Sequence, residues 1–270
     1  MTQLFATDLD GTLLNSSGGI SAANVAALKS AQAAGLHVVF ATGRPPRWMT
    51  EIGHITGMHG HAICANGALV LDVATGAVLQ ADFLDRDLGL EVVSRLRQID
   101  PGVSFAVELA DDNVSFVIEN NYRPRWETQQ EVPRVAVEEM FNSGRVIKLL
   151  ARPSEHAKLD ADQFVHAAES VACDIVDLTH SNIHDVLLEM SPCGVNKGTA
   201  LAKFASNLGV SQSEVAAVGD MPNDVPMISW AGKGAAVANA HERVKAVADV
   251  LLPSNDEDAV AVFIKQLLGS

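Results

Sequence analysis

The chain has 270 residues, 48% of them hydrophobic, which is enough apolar surface for a large core in one or two domains. Its 33 acidic against 19 basic side chains leave a net charge of −14. That balance excludes a nucleic-acid backbone as partner, because phosphate chains demand clustered Lys and Arg, but it leaves small phosphorylated ligands open, since a bound cation reverses the local field.

The first element is the apolar run Leu4-Phe5-Ala6-Thr7, a buried strand that ends in Asp8-Leu9-Asp10-Gly11-Thr12. Carboxylates at i and i+2 on extended chain point to one side, and Gly11 lets the backbone turn and approach a ligand closely. Ser21 caps a helix over Ala22 to Ala34, which Gly35 closes. Leu36 to Ala41 is a second buried strand and runs straight into Thr42-Gly43-Arg44-Pro45-Pro46. Strand, helix and strand with short joints make a βαβ unit and so a parallel sheet. A short helix through Trp48 and Ile52 follows, then a strand at Ala62 to Ala65 and the turn Asn66-Gly67. Ala68 to Asp72 and Ala77 to Ala81 form a hairpin around Thr75-Gly76.

From Phe83 the texture changes. A helix is predicted over Asp85 to Ile99, with Leu88, Val92, Val93 and Leu96 on one face. Ser104 to Leu109 and Val114 to Glu119 read as strands, and Asn120 to Glu131 as a polar irregular stretch. Arg145 to Ala151 is a strand, Glu155 to Ser170 a helix, and Asp174 to Thr179 and Val186 to Met190 are further strands. This block reads as an α+β domain over residues 83–187, inserted into a core of residues 1–82 and 188–270. The last third returns to α/β alternation. Asn196-Lys197-Gly198 opens a helix, and the buried strand Val215 to Val218 ends in Gly219-Asp220-Met221-Pro222-Asn223-Asp224. A helix from Val225 to Trp230, strands at Ala235 to Ala238 and Val250 to Leu252, and helices after Asn239 and from Asp256 complete the chain.

The cysteines, Cys64, Cys173 and Cys193, are odd in number and widely spaced, as in a reduced protein without structural zinc, and they read as small buried hydrophobes. The sequence shows neither a leader nor a membrane-spanning run, so a soluble cytoplasmic protein without a membrane partner is expected. His59-Gly60-His61 reads as an exposed loop and His180 to His184 as a turn, while Arg123, Arg125 and Trp126 sit in the polar stretch. The sequence carries no signature of oligomeric state.

Asp8 with Asp10, Thr42, Lys197, and Asp220 with Asp224 each stand at a strand end or a helix start. Together they supply what phosphoryl transfer through an aspartyl-phosphate needs. Mg²⁺ would reconcile a carboxylate nucleophile with an anionic substrate, held by Asp8, Asp220 and the backbone carbonyl of Asp10. Asp10 would protonate the leaving alkoxide and then deprotonate water, and the shared proton is expected on it because Asp8 sits on the cation. Thr42 and Lys197 would hold the remaining phosphate oxygens, with Asp224 orienting Lys197 or a metal-bound water.

Asp8-Leu9-Asp10-Gly11-Thr12, Ala41-Thr42-Gly43-Arg44-Pro45, Asn196-Lys197-Gly198 and Gly219-Asp220-Met221-Pro222-Asn223-Asp224 resemble the four ordered motifs of the haloacid dehalogenase superfamily. The long insert between the second and third resembles its Cof-type branch, as do Asn66-Gly67-Ala68 and Val237-Ala238-Asn239-Ala240. The resemblance implies a Rossmann-like, doubly wound parallel-sheet core with an inserted α+β cap. It also implies a Mg²⁺-dependent phosphatase acting on small phosphorylated metabolites, often sugar phosphates. On that basis Asp8 is the nucleophile, Asp10 the acid and base, Thr42 and Lys197 the phosphate ligands, and Asp220 the metal ligand. Gly43, Arg44 and Asn66 line the substrate site, and Asn223 supports it. Two positions depart from the pattern: Met221, where the branch often has Asn, and Ala259, where Gly is common. A phosphomutase would use the same two aspartates, and a phosphate-binding signalling module shares Asp, Thr and Lys. The carboxylate at Asp10 speaks against the module, because it would undermine a long-lived acyl phosphate.

Overall fold

The run Leu4–Thr7 (β1) is buried along its whole length, because it lies inside a sheet covered on both faces. The computed structural model describes residues 1–57, 60–110, 115–124, 132–154, 159, 161–180 and 186–269. His59, Arg125, Trp126 and His184 lie outside them. The chain divides into two units, Met1–Gln80 with Asn196–Ser270, and Ala81–Val195.

In the first unit β1 is followed by α1 (Ala22–Ala33), β2 (His37–Ala41), α2 (Met49–Thr56), β3 (His61–Cys64), β4 (Leu69–Asp72) and β5 (Val78–Ala81). The second unit holds α3 (Arg86–Ile99), β6 (Ser104–Leu109), β7 (Phe116–Ile118), α4 (Val137–Met140), β8 (Val146–Arg152), α5 (Ala161–Ala172), β9 (Val176–Thr179) and β10 (Leu188–Pro192). The chain then returns to the first unit through α6 (Lys197–Asn207), β11 (Val215–Gly219), α7 (Val225–Trp230), β12 (Lys233–Ala236), α8 (Glu242–Lys245), β13 (Val250–Leu251) and α9 (Ala259–Leu268).

The first unit's sheet runs β13-β12-β11-β1-β2-β3-β4-β5, parallel from β13 to β3 and antiparallel at β3–β4. Leu4, Ala6, Val39 and Ile63 share one apolar cluster with Leu201 and Phe204 of α6 and Met227 of α7. On the other side Phe5 meets Phe263 of α9 edge to face, ring centroids 6.0 Å apart, and α1 packs along α9 and β2. Alternate residues of one strand therefore feed two helix layers, the doubly wound arrangement. Local chemistry supports each helix: Ser21 accepts from Asn24 N to start α1, and Asn196 with Thr199 forms a capping box for α6.

The second unit is an antiparallel sheet in the order β7-β6-β8-β10-β9. One apolar cluster joins Phe105, Val107, Leu149 and Met190 of its strands to Val92 and Leu96 of α3 and Phe164 of α5. Lys148 on β8 and Glu189 on β10 form a buried ion pair at 2.9 Å.

Several elements differ from the sequence reading. Leu188–Pro192 pairs with β8 and β9, so the chain re-enters the first unit at Asn196, later than residue 188; a strand of five residues, Leu-Glu-Met-Ser-Pro, is too short to mark which sheet it joins. The β3–β4 connection is wider than a two-residue turn, with Ala65, Asn66 and Gly67 all at positive φ. The helix α4 has no counterpart in the reading, since its four residues make too short a run to carry a period. His61 is the first residue of β3, half-buried with its ring against Phe204 at 4.8 Å, and is no loop residue. Only Cys64 is buried; Cys173 and Cys193 are exposed.

Candidate active site

The register of the parallel strands assembles the site. Thr7 lies opposite Phe40 on one side and Val218 on the other, so Asp8, Thr42 and Asp220 leave neighbouring strands at their carboxyl ends. This is the edge at which open α/β sheets bind ligands. Beyond Thr7 the chain makes an irregular turn closed by Leu14 N to Leu9 O at 2.8 Å. Gly11 sits at φ 75°, and a Cβ there would lie 2.3 Å from Asp220 Oδ2. Only glycine lets the two acidic loops approach this closely.

Lys197, the first residue of α6, is wholly buried and donates to Asp8 Oδ1 and to Asp224 Oδ1, both at 2.6 Å. Asp224 uses its other oxygen to accept from the amides of Asp220 and Met221, each at 3.0 Å. Asp224 thus anchors both the lysine and the Asp220 loop. Met221 leaves this loop intact, because its contribution here is made by the backbone. Thr12 Oγ1 donates to Asp220 Oδ1 at 3.1 Å. The carboxylates of Asp8, Asp220 and Asp224 each offer an oxygen within 4.8 Å of the others.

Burial shapes the charges. It pushes the Asp8 carboxyl well up, Lys197 pulls it back, and Asp224, Asp220 and Asp10 add to the rise. Asp220 is pushed up to about 7 by burial and by Asp224, against the pull of Lys197. Burial alone would lower the Lys197 ammonium, but Asp224 and Asp8 outweigh it and raise it above its ordinary value.

Asp10, two residues beyond Asp8, is more than half exposed and accepts from Arg44 twice, Nε to Oδ2 at 2.7 Å and Nη2 to Oδ1 at 2.5 Å. The Arg44 guanidinium lies over the Trp48 ring, 4.7 Å from its centroid. Thr42 is buried; its amide donates to Ile63 O at 2.8 Å and its hydroxyl accepts from Arg44 N at 3.0 Å across Gly43. Asn66, at φ 57°, donates its amide to Thr42 O at 3.1 Å. Its Oδ1 accepts from Asn223 Nδ2 at 3.1 Å, while the buried Asn223 Oδ1 has no hydrogen-bond partner among the described residues. Gly67 holds φ 109° beside the Asn196 carbonyl, 2.4 Å from where a Cβ would fall.

The structure therefore ties Asp8, Lys197, Asp220 and Asp224 into one network, Thr42, Arg44 and Asp10 into a second, and Asn66 to Asn223. Arg44 faces Asp10. The sequence reading gave no site role to Thr12, which holds Asp220 from far along the chain, or to Trp48, which carries Arg44 from the next turn; a single contact leaves no periodic trace.

The comparisons with known proteins agree in character. A family model described as haloacid dehalogenase-like hydrolase matches residues 5–264. Phosphatase YwpJ of Bacillus subtilis (strain 168) is 30% identical, over 98% of this chain and all of its own length. The 5-amino-6-(5-phospho-D-ribitylamino)uracil phosphatase YwtE of the same organism is 28% identical, over 98% of this chain and 97% of its own. A solved haloacid dehalogenase-like hydrolase from B. subtilis superposes with a TM-score of 0.82 at 28% identity, covering 98% of this chain and 100% of the other.

Proposed function

This chain belongs to the haloacid dehalogenase-like hydrolases, alongside relatives named as phosphatases, and from that premise we propose a Mg²⁺-dependent phosphatase. It hydrolyses small phosphorylated metabolites, sugar phosphates among them, through an aspartyl-phosphate on Asp8. YwtE acts on a phosphorylated ribityl chain by its name, which favours a polyol or sugar phosphate monoester here too.

The observation that carries the reading is the buried cluster of Asp8, Asp220 and Asp224 with a single lysine among them. Three carboxylates against one ammonium are costly in a low-dielectric site unless a further cation joins them. Hard carboxylate oxygens suit Mg²⁺, and Asp8 and Asp220 are the residues to hold it, because Asp224 spends both oxygens on Lys197 and two amides. Asp10 would contribute its backbone carbonyl. When bound, Mg²⁺ neutralises charge on the phosphate and on Asp8.

In the first step an Asp8 carboxylate oxygen bonds to phosphorus and the ester P–O bond breaks, with Asp10 giving its proton to the departing alkoxide. In the second step Asp10 takes a proton from water, the hydroxide attacks phosphorus, and the acyl phosphate opens to inorganic phosphate and the Asp8 carboxylate. Lys197 holds Asp8 in place and answers charge on the phosphate oxygens, with Thr42, Gly43 and Asn66 beside it. Asn223 Oδ1, a buried acceptor, suits a donor arriving with the ligand. Both Asp10 oxygens accept from Arg44, which aims the carboxyl; one of the two bonds opens when Asp10 carries its proton, and the other keeps it in place.

Asp8→Asn tests the reading: phosphate release should fall by on the order of 10⁴-fold or more, with an unchanged circular dichroism spectrum. A variant that still turns over would remove Asp8 as nucleophile. Sugar phosphate conversion without free phosphate would instead select the mutase.

A further inference from the structure

The segment after β12 touches both acidic loops. Asn239 Nδ2 donates to Gly11 O at 2.8 Å, and two residues on His241 N donates to Asp220 O at 2.8 Å. Asn239 is itself held in place, for its Oδ1 accepts from Asn255 N at 3.0 Å. The bond on Gly11 O fixes the peptide plane leading to Thr12, and Thr12 Oγ1 reaches Asp220 Oδ1 at 3.1 Å. A closed circuit results: Asn239 to Gly11, Thr12 to the Asp220 side chain, and the Asp220 backbone to His241.

We propose that Asn239 is a positioning residue that sets the separation between the Asp8–Asp10 loop and the Asp220 loop. Resting on the Mg²⁺ reading above, this sets the spacing of the oxygens that hold the cation. Both hydrogen-bond partners of the Asn239 side chain among the described residues are backbone atoms, Gly11 O and Asn255 N, so its hold on the carboxylates is indirect. Other side chains grip the same loop without reaching Asp220: Asn255 Nδ2 donates to Leu14 O at 2.9 Å, and Ser16 donates from its amide and its hydroxyl to Asp256. The Ser16–Asp256 bonds involve neither Asn239 nor Asp220, so they provide the control. Outer-shell partners of this kind change metal affinity by roughly ten- to a hundredfold when removed.

The test titrates MgCl₂ into the metal-free full chain and reads the rise in melting temperature. Asn239→Ala should raise the half-saturating Mg²⁺ concentration about tenfold. Ser16→Ala, which leaves the bond from Asn255 N to Asn239 Oδ1 untouched, should lower the melting temperature in chelator but leave the half-saturation within about twofold of the natural chain. Equal shifts in the two variants, or none in Asn239→Ala, overturn the positioning role while the Mg²⁺ reading stands. A natural chain whose melting and phosphate release both ignore Mg²⁺ overturns the reading and the inference together.

Discussion

Arg44 shows how one side chain separates two readings. Its place after Thr42-Gly43 suggests substrate contact, whereas in the structure its guanidinium forks onto Asp10 and rests on Trp48. Arg44→Ala should therefore lower kcat by about tenfold or more with little change in KM, because the acid and base loses its guide. A rise in KM at constant kcat would return Arg44 to the substrate. Arg44→Lys keeps the charge but not the fork, and should rescue little. Asp220 gives a pH prediction. It titrates at about 7 in the fold against an ordinary 3.8, so between those values the folded protein holds a proton the unfolded chain has lost. Its contribution to stability falls as pH rises through that window, and the loss is complete above about 7. In chelator, the natural chain should lose more melting temperature between about pH 5 and 8 than Asp220→Asn, and Mg²⁺ should restore more at the higher pH. Parallel profiles for the two proteins would contradict it. At this scale the placement of Asp8 and Asp220 beyond strand ends is readable from the sequence, because the apolar runs stop at them. The partners Thr12 and Asn239 are not, because each acts through one bond to a residue far along the chain.

Among elements, α6 carries the tightest requirement. Gly198 follows Lys197, and a Cβ on it would lie 2.5 Å from the Pro226 carbonyl carbon in α7. Gly198→Ala must push these two helices apart at the first turn of α6. It should cost about 1–3 kcal/mol in denaturant unfolding and raise KM for phosphorylated substrate, since Lys197 moves with the helix. A neutral substitution would show that α7 yields without disturbing Lys197. The strands and longer helices are legible in the sequence, because apolar runs, Ser21, Asn196 and Gly35 signal their bodies and ends. Short pieces such as α4, and the sheet to which Leu188–Pro192 belongs, are settled by tertiary pairing and leave no local mark.

For the whole molecule, the charge of −14 opposes the approach of an anionic substrate. At fixed Mg²⁺, kcat/KM for a phosphate monoester should rise several-fold as salt goes from about 0.01 M to 0.15 M, because screening weakens that repulsion. A decline would mean that the local cationic field governs capture. The α/β class and the insertion are legible from the alternation of patterns and its interruption. The point of return is not, since the place of β10 is settled by its pairing with β8 and β9. That point has a further meaning for exchange of modules between relatives. Residues 81–195 leave and re-enter through two crossings, and the second sits one residue before Lys197. A transplant that spliced in a foreign insert one residue out of phase would keep every carboxylate. If that shift consumed Asn196, α6 would lose its capping box at the turn that presents the ammonium to Asp8 and Asp224. Recombination is therefore forgiving over the interior of the insert and stringent at the single peptide where it ends.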